Sequence, residues 1–191
     1  MSKSVRLVIR NARCVWPKLF RAEDYRGKKK FSVGLIIQKG SDNEKKLMAA
    51  IKQAVAEQYG PSDVESRLKK FKQTGVTKLP VKPYGDEGDL LITPKLDAEK
   101  APNGPKVLDQ HKKAIPPEQE SRILPGYWLN ASLDVFCHNK EGGGIAFYLN
   151  GVQLVKEDTV LAGASSVETC GDDFEDLGDT GVDEAGDEDF L

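Results

Sequence analysis

The sequence predicts a mainly β fold: a small five-stranded antiparallel barrel with a pair of helices inserted between its strands, followed by a disordered acidic tail. Three observations predict it. Apolar and polar residues alternate in several short segments, and one stretch between those segments has apolar residues at helical spacing. All 28 lysines and arginines lie at or before Lys156, whereas 13 of the 30 acidic residues follow it. We therefore expect a folded domain over residues 1–160 and a tail over residues 161–191.

The first two predicted strands cover residues 5–14 and 29–38. Val5, Leu7 and Ile9 alternate with polar residues in the first, and Phe31 and Val33 begin the same alternation in the second. The segment between them, residues 21–30, is rich in cations and holds a tyrosine. A basic, aromatic loop joining two strands suits a clamp on a nucleic-acid backbone.

Two helices are predicted next. Ser41 and Glu44 form a capping-box pattern ahead of apolar residues at helical spacing, and Ser62 and Glu65 repeat that pattern before a shorter amphipathic segment. The plainest interpretation is that these helices cover one side or end of the sheet.

The rest of the domain returns to strands. Residues 75–125 are loosely patterned, with short strands predicted at 90–93 and 106–108. Residues 127–138 and 145–155 alternate clearly and are close enough to form a hairpin. Asn150 and Gly151 interrupt the alternation of the second of these strands, which predicts a bulge there.

Catalytic motifs are missing from the sequence. His111 and His138 are the only histidines and have no metal-ligand spacing, and neither a phosphate-binding glycine loop nor a nucleophile motif occurs. We therefore expect neither an enzyme, a cofactor nor a bound metal.

The cysteines and the first residues predict the compartment. Cys14, Cys137 and Cys170 are an odd number and widely spaced, which argues against a disulfide framework and fits a reducing compartment. No segment is apolar enough for a signal peptide or a membrane span. We expect a cytoplasmic protein with no membrane partner.

The distribution of charge points to a polyanionic partner. Residues up to Lys156 carry 28 basic and 17 acidic side chains, a net charge of +11, and the following residues carry a net charge of −13. A domain this basic attracts polyanions such as nucleic acid, and an acidic segment can imitate one.

Candidate DNA-binding residues combine cations with rings, because basic side chains follow phosphates and aromatic rings stack on bases. Trp128 and Phe136 share the polar phase of their predicted strand, and Tyr148 lies on the equivalent phase of the next. They form a stacking platform if that face is exposed, or belong to the core if a helix covers it. The candidates are Arg13, Trp16, Lys18, Arg21, Tyr25, Arg26, Lys28, Lys30, Lys82, Tyr84, Arg122, Trp128, Phe136 and Tyr148.

The acidic tail has two interpretations. Low hydrophobicity and repulsion between like charges predict disorder, as in a tail that serves solubility. Phe174, Leu177 and the final Phe190 and Leu191 also provide apolar anchors for basic pockets on partners, and the tail could compete with DNA for the basic domain. The candidate partner-binding residues are Asp187, Glu188, Asp189, Phe190 and Leu191.

Taken together, the chain resembles the bacteriophage single-stranded-DNA-binding proteins, which are OB-fold proteins with an acidic C-terminal tail that often ends in an aromatic residue. The resemblance rests on residues 6–17, 29–38, 126–133, 143–146, 149–153 and 172–174. It implies an OB-type domain over residues 1–160.

The resemblance also implies a function. Such a protein coats exposed single strands without sequence preference during phage DNA replication, recombination or repair. Its tail recruits phage or host DNA polymerase, helicase or recombination proteins, and it works in the host bacterial cytoplasm. One departure is that Leu191 follows Phe190, which puts in doubt a partner pocket that reads the ring together with the terminal carboxylate.

The sequence leaves some alternatives open. An acidic-tailed chaperone or DNA mimic would bind basic proteins through the tail rather than DNA. The oligomeric state, a homodimer included, is also open, as are the number of nucleotides covered and the binding of RNA or duplex DNA.

Overall fold

The computed structural model describes residues 4–161. The sequence predicts a disordered tail over residues 161–191. All of it after Leu161 lies outside the described residues, including the predicted partner-binding residues Asp187, Glu188, Asp189, Phe190 and Leu191. The strands are β1 (Ser4–Tyr25), β2 (Lys28–Ile37), β3 (Val81–Tyr84), β4 (Asp89–Ile92), β5 (Lys95–Asp97), β6 (Lys106–Leu108), β7 (Trp128–His138) and β8 (Gly144–Lys156), and the helices are α1 (Asp42–Tyr59) and α2 (Val64–Thr74).

Five of the strands form a ring of backbone hydrogen bonds in the order β1-β2-β5-β8-β7, with β7 returning to β1. Neighbours in the ring are antiparallel except β5 and β8, which meet at the single parallel pair Lys95 and Tyr148. β4 and β3 continue the sheet beyond β2, and β6 pairs in parallel with β8. This arrangement is consistent with an OB-like fold and confirms the mainly β prediction.

The 22-residue strand β1 bends, and it therefore pairs with two different strands, β7 and β2. Its first half pairs with β7 and its second half with β2. The register shifts three times: at Asn11, at Trp16 and between Lys18 and Glu23. Asn11 and Trp16 have positive φ, 51° and 45°. Such bulges bend a strand and increase its twist, so β1 can contribute to both sides of the ring.

β1 and β2 continue to a tight turn, so the predicted loop over residues 21–30 is instead a β-hairpin. Tyr25 pairs with Lys28, and Arg26 and Gly27 between them have φ of 55° and 78°. Two successive positive φ values define the type I′ turn that suits the right-handed twist of a hairpin. Most of the basic residues predicted for a loop therefore lie on paired strands, and Arg26 lies in the turn between them.

The core lies inside the ring and beneath α1. β7 buries Leu129, Leu133 and Val135 on its inner phase, as the alternation predicted. α1 packs Leu47 and Ile51 against β1 and β7. The bulge predicted at residues 150 and 151 is present, because Gly151 pairs with Ser132 whereas Leu149 pairs with Leu133.

Of the two N-terminal helix caps predicted from the sequence, only the Ser41 cap is present. Ser41 caps α1 by accepting a hydrogen bond from the Glu44 amide at 3.3 Å, whereas the Glu44 side chain reaches the Gly40 amide instead of closing the box on Ser41. Ser62 does not cap α2. Residues 61–63 form a 3₁₀ turn and α2 begins at Val64, without a side-chain cap.

Two cysteines are buried within the domain. Cys14 on β1 and Cys137 on β7 are free thiols. Burial raises the pKa of each to about 11, so both stay protonated near neutral pH.

Among residues 4–161, no helix is long and apolar enough to cross a membrane.

Close packing of β1 on β2 requires a glycine at position 34. A Cβ there would overlap Cγ2 of Val15 and lie 3.0 Å from the Val15 carbonyl oxygen. We expect Gly34→Ala to lower the free energy of unfolding by about 1–3 kcal/mol, measured by denaturant titration. Ser32→Ala, two residues away on the same strand, is the control. Equal stability of the two variants would contradict this account.

Candidate nucleic-acid interface

Tyr25, at the end of β1, is surrounded by cations. The Lys95 Nζ lies 3.2 Å from the centre of the Tyr25 ring, the Arg26 Cζ lies 5.6 Å from it and the Lys30 Nζ 5.8 Å. The ring itself remains 45% exposed. An exposed ring with cations around it offers a base a stacking surface and its phosphates a positive charge.

The pairing of β5 extends this cluster across the ring. Lys95 pairs with Ser32 on β2 and with Tyr148 on β8, and Ser32 pairs with Lys18 on β1. Paired residues point to the same side of a sheet, so one outward row runs from Lys18 through Lys95 to Tyr148.

A second ring extends the row onto β7. Tyr148 is 41% exposed, and Phe136 contacts it edge to face with ring centres 6.1 Å apart. We call Tyr25, Lys30, Lys95, Tyr148 and Phe136 the aromatic–cation strip. Its members come from the β1–β2 hairpin, β5, β8 and β7.

Carboxylates near the strip are already engaged. Glu23 forms an ion pair with Lys18 at 2.6 Å, and the Asp97 carboxylate accepts the Glu99 amide. Asp24 accepts the Gly27 amide within the hairpin turn. Lys30 and Lys95 make no ion pair among the described residues, so their charge remains available to a phosphate.

Trp128 is not part of the aromatic–cation strip. It occupies the outward phase of β7 with Phe136, as the alternation predicted, and neither ring is part of the core. Eight residues separate them, however, which is about 26 Å along a strand. They therefore cannot form the single stacking platform that the sequence suggested.

The Trp128 ring is held in place by charged neighbours. Its Nε1 donates a hydrogen bond of 2.6 Å to Asp158, and Lys156 and Arg13 lie 4.8 Å and 5.8 Å from its centre. The bonds from Trp128 and from the Thr159 amide keep the pKa of Asp158 below its usual value. A base could stack here only by competing with these cations.

Tyr84 and Arg13 join Trp128 around one cleft. The cleft, of about 210 Å³, also borders the N-terminus of α1. Two predicted aromatic residues and one predicted cation therefore meet, but at a distance from the strip.

Three of the predicted cations lie away from the strip. Arg21 forms an ion pair of 2.9 Å with Glu120, and Arg122 bonds Gln119 in the same 3₁₀ turn. Lys82 is on the outer strand β3, beyond β4. These three cations do not join the strip.

Trp16 and the hairpin tip lie near the strip along β1 and β2. Trp16 is at a bulge two residues before Lys18 and is 57% exposed. Arg26 and Lys28 are at the tip beside Tyr25. The structure thus brings Tyr25, Arg26, Lys28 and Lys30 together on one hairpin.

Sequence reasoning missed Lys95. It lies in a three-residue strand, which is too short to show alternation. A lysine directly after a proline, between a predicted strand and a loose segment, carried no signal of its importance.

Contact with Lys95 in the strip changes the pKa of Tyr25. A hydrogen bond from Lys95, and its positive charge, lower the pKa of the Tyr25 phenol. We expect the Lys95→Met variant to raise that pKa, because the phenolate then loses its nearest cation. Ultraviolet absorbance titration, with Tyr25→Phe to identify the signal, measures the shift. Lys100→Met is the control, and an identical Tyr25 titration in Lys95→Met and wild type would contradict the contact.

The sequence of this chain matches a protein family and a known phage protein. The family model described as Enterobacter phage Enc34, ssDNA-binding protein, matches residues 5–191. Putative protein p50 of Acyrthosiphon pisum secondary endosymbiont phage 1 is 24% identical over 183 residues, which cover 91% of this chain and 94% of that protein.

Solved structures show the same fold. The single-stranded DNA-binding protein of bacteriophage Enc34 in complex with ssDNA aligns with a TM-score of 0.56 at 19% identity, over 85% of this chain and 95% of that one. The crystal structure of gp2.5, a single-stranded DNA-binding protein encoded by bacteriophage T7, aligns with a TM-score of 0.59 at 16% identity, over 92% and 98%. The family match spans nearly the whole sequence, and the chain belongs to the Enc34 single-stranded DNA-binding protein family.

Proposed function

We propose that this chain is a non-enzymatic single-stranded DNA-binding protein. It coats exposed DNA without sequence preference during phage replication, recombination or repair, in the cytoplasm of the bacterial host. The observation that carries the proposal is the aromatic–cation strip, in which Tyr25 and Tyr148 are exposed on either side of Lys95. Membership of the family supports it.

The strip suits a single strand rather than a duplex. Unpaired bases expose their faces, which can stack on Tyr25, Tyr148 and Phe136, while Lys30 and Lys95 contact the phosphates between them. Every base has a π face, so stacking does not depend on sequence. In OB folds the face of the second and third strands binds oligonucleotides, and β2 and β5 occupy those places in this ring.

The hairpin contributes a rigid side to this interface. The β1–β2 pairing continues to Tyr25 and Lys28, so the cations at its tip are presented from ordered backbone. Less conformational entropy is then lost when DNA binds than if a flexible loop had to be ordered.

The acidic tail has a proposed role of its own. Residues 161–191 carry 11 acidic residues and no lysine or arginine, so the tail can compete with DNA for the basic domain. Once DNA displaces it, the tail is free to recruit polymerase, helicase or recombination proteins through its terminal acidic and apolar residues.

Removing the exposed rings should weaken DNA binding. Each stacked ring is worth roughly 1–3 kcal/mol per base, so Tyr25→Ala combined with Tyr148→Ala should lower the affinity for a fluorescent dT oligonucleotide by at least about tenfold. Fluorescence anisotropy at several salt concentrations measures it. Wild-type log K should fall by roughly 0.7 per log unit of salt for each phosphate neutralised.

The matched control keeps the rings and removes only the hydroxyls, as Tyr25→Phe with Tyr148→Phe, and should bind nearly as wild type does. Wild-type protein that binds no oligonucleotide at low salt would refute the proposed function. Wild-type affinity in the double alanine variant would refute the assignment of the strip.

Deleting residues 169–191 removes 10 acidic residues and should tighten DNA binding at low salt, because a competing polyanion is lost. A full-length control with those 10 residues changed to Asn or Gln should show the same gain, which separates charge from length. An affinity that stays the same in both would show that the tail does not compete. Binding to basic proteins without binding to DNA would support the acidic-chaperone alternative instead.

A further inference from the structure

We propose that a cleft on the outer side of β7 is a second nucleotide-binding site, which contacts the same single-stranded DNA away from the aromatic–cation strip. The inference deepens the proposed function and rests on it. The cleft lies between the first half of β1, β7, β8 and the short strand β6, and its volume is about 430 Å³. That volume is within the usual range of small-molecule sites.

The charge of the cleft suits phosphate. Arg6, Arg10 and Lys106 line it, and no carboxylate does. Arg6 forms an ion pair of 2.7 Å with Asp134 just outside the lining. Within residues 4–161 the guanidinium of Arg10 and the ammonium of Lys106 make no hydrogen bond or ion pair, so two cations face the cleft without a counter-charge.

The walls of the cleft also present an apolar surface for a base. Asn130 and Gln153 line the cleft, but protein groups engage both amides: Asn130 donates to Gln153 at 3.1 Å and accepts the Asn11 amide, and Gln153 donates to the Asp109 carbonyl. Asn150, at the bulge of β8, also lines the cleft, and its amide nitrogen is buried with no hydrogen-bond partner among the described residues. The group open to a base is therefore Val8, which is 37% exposed and provides apolar surface for a base face.

The strand order separates the cleft from the strip. In the ring β1-β2-β5-β8-β7, the neighbours of β7 are β1 and β8, whereas β2 and β5 neighbour each other on the far side. The centre of the strip, Lys95, is on β5, and the cleft is centred on β7 around Ser132. DNA that contacts only the β2–β5 side cannot reach Arg10 or Lys106.

The two sites meet along one path. Tyr148 and Phe136 end the strip on β8 and β7, and Asn150 and Ser132 begin the cleft farther along the same two strands. A DNA strand leaving Tyr148 can therefore continue along β7 into the cleft. Short oligonucleotides would fill the strip alone, and longer ones would also fill the cleft.

The test compares oligonucleotide lengths in a charge-neutralised variant. Arg10→Gln combined with Lys106→Gln removes both unpaired cations and keeps the Arg10 backbone that bonds Asn43. Affinities are measured for a dT series from about 5 to about 40 nucleotides, because OB folds cover roughly 4–16. For long oligonucleotides, losing two phosphate contacts should reduce the slope of log K against log salt by about 1.4.

The length dependence decides between the outcomes. Wild-type binding of short oligonucleotides together with the reduced slope for long ones supports the second site. An unchanged slope at every length overturns it, and equal weakening at every length also overturns it, because the cleft would then belong to the first site. Lys46→Gln with Lys70→Gln, two exposed helix lysines, makes the same charge change and should leave both slopes unchanged.

Failure of the proposed function can be distinguished from failure of the cleft proposal by whether the wild-type protein binds dT at all. If the wild-type protein binds no dT of any length, both proposals fail. If the wild type binds and Tyr25→Ala with Tyr148→Ala weakens binding at all lengths, the proposed function stands and only the cleft is being tested. Photocrosslinking of a long 4-thiothymidine oligonucleotide gives an independent readout, with crosslinks expected in β1 residues 4–10 and in β8.

Discussion

The single parallel contact between β5 and β8, at Lys95 and Tyr148, is the constraint on which the interface depends. It closes the ring of strands and sets the cation of β5 between an aromatic residue of the hairpin and one of β8. Without this closure, β5 and β8 would lie on opposite sides of one open sheet, connected only through β2, β1 and β7. Because a three-residue strand forms few hydrogen bonds of its own, neighbouring strands must hold it, and β2 does so over all three of its residues.

The long strand β1 supplies the second constraint. Two of its register shifts contain a residue whose φ is positive, and the one at Asn11 is tied to its neighbours: the Asn11 amide bonds the Asn130 side chain, and Asn43 of α1 bonds the backbone of Arg10 on both its donor and acceptor sides. These bonds satisfy backbone groups that a bulge leaves unpaired. The bend they stabilise lets one strand contribute Tyr25 to the strip and Arg6 and Arg10 to the cleft.

Tyr25 and Trp128 differ in the charged groups that surround their rings. Tyr25 is exposed among cations that form no ion pair within residues 4–161, whereas Trp128 is tied to Asp158 by a short hydrogen bond. Both rings have cations nearby, yet only the first offers a free face with uncompensated positive charge. A tryptophan on the outward face of a strand is therefore weak evidence for base stacking on its own, because a carboxylate from another segment can engage it, as Asp158 engages Trp128.

The sequence alone determined the periodic features: the alternation in β7 and β8, the bulge at Gly151, the Ser41 cap and the apolar face of α1, since each depends on residues close together in the chain. It also determined the opposed charges of the domain and tail, and carried the family resemblance. Tertiary structure alone decided which candidates meet. Trp128 and Phe136 lie on the same face of β7 but far apart. Lys95 contacts the ring of Tyr25, 70 residues away in sequence, and pairs with Tyr148, 53 residues away. Such contacts depend on strand order and register, which alternation within a single segment does not encode.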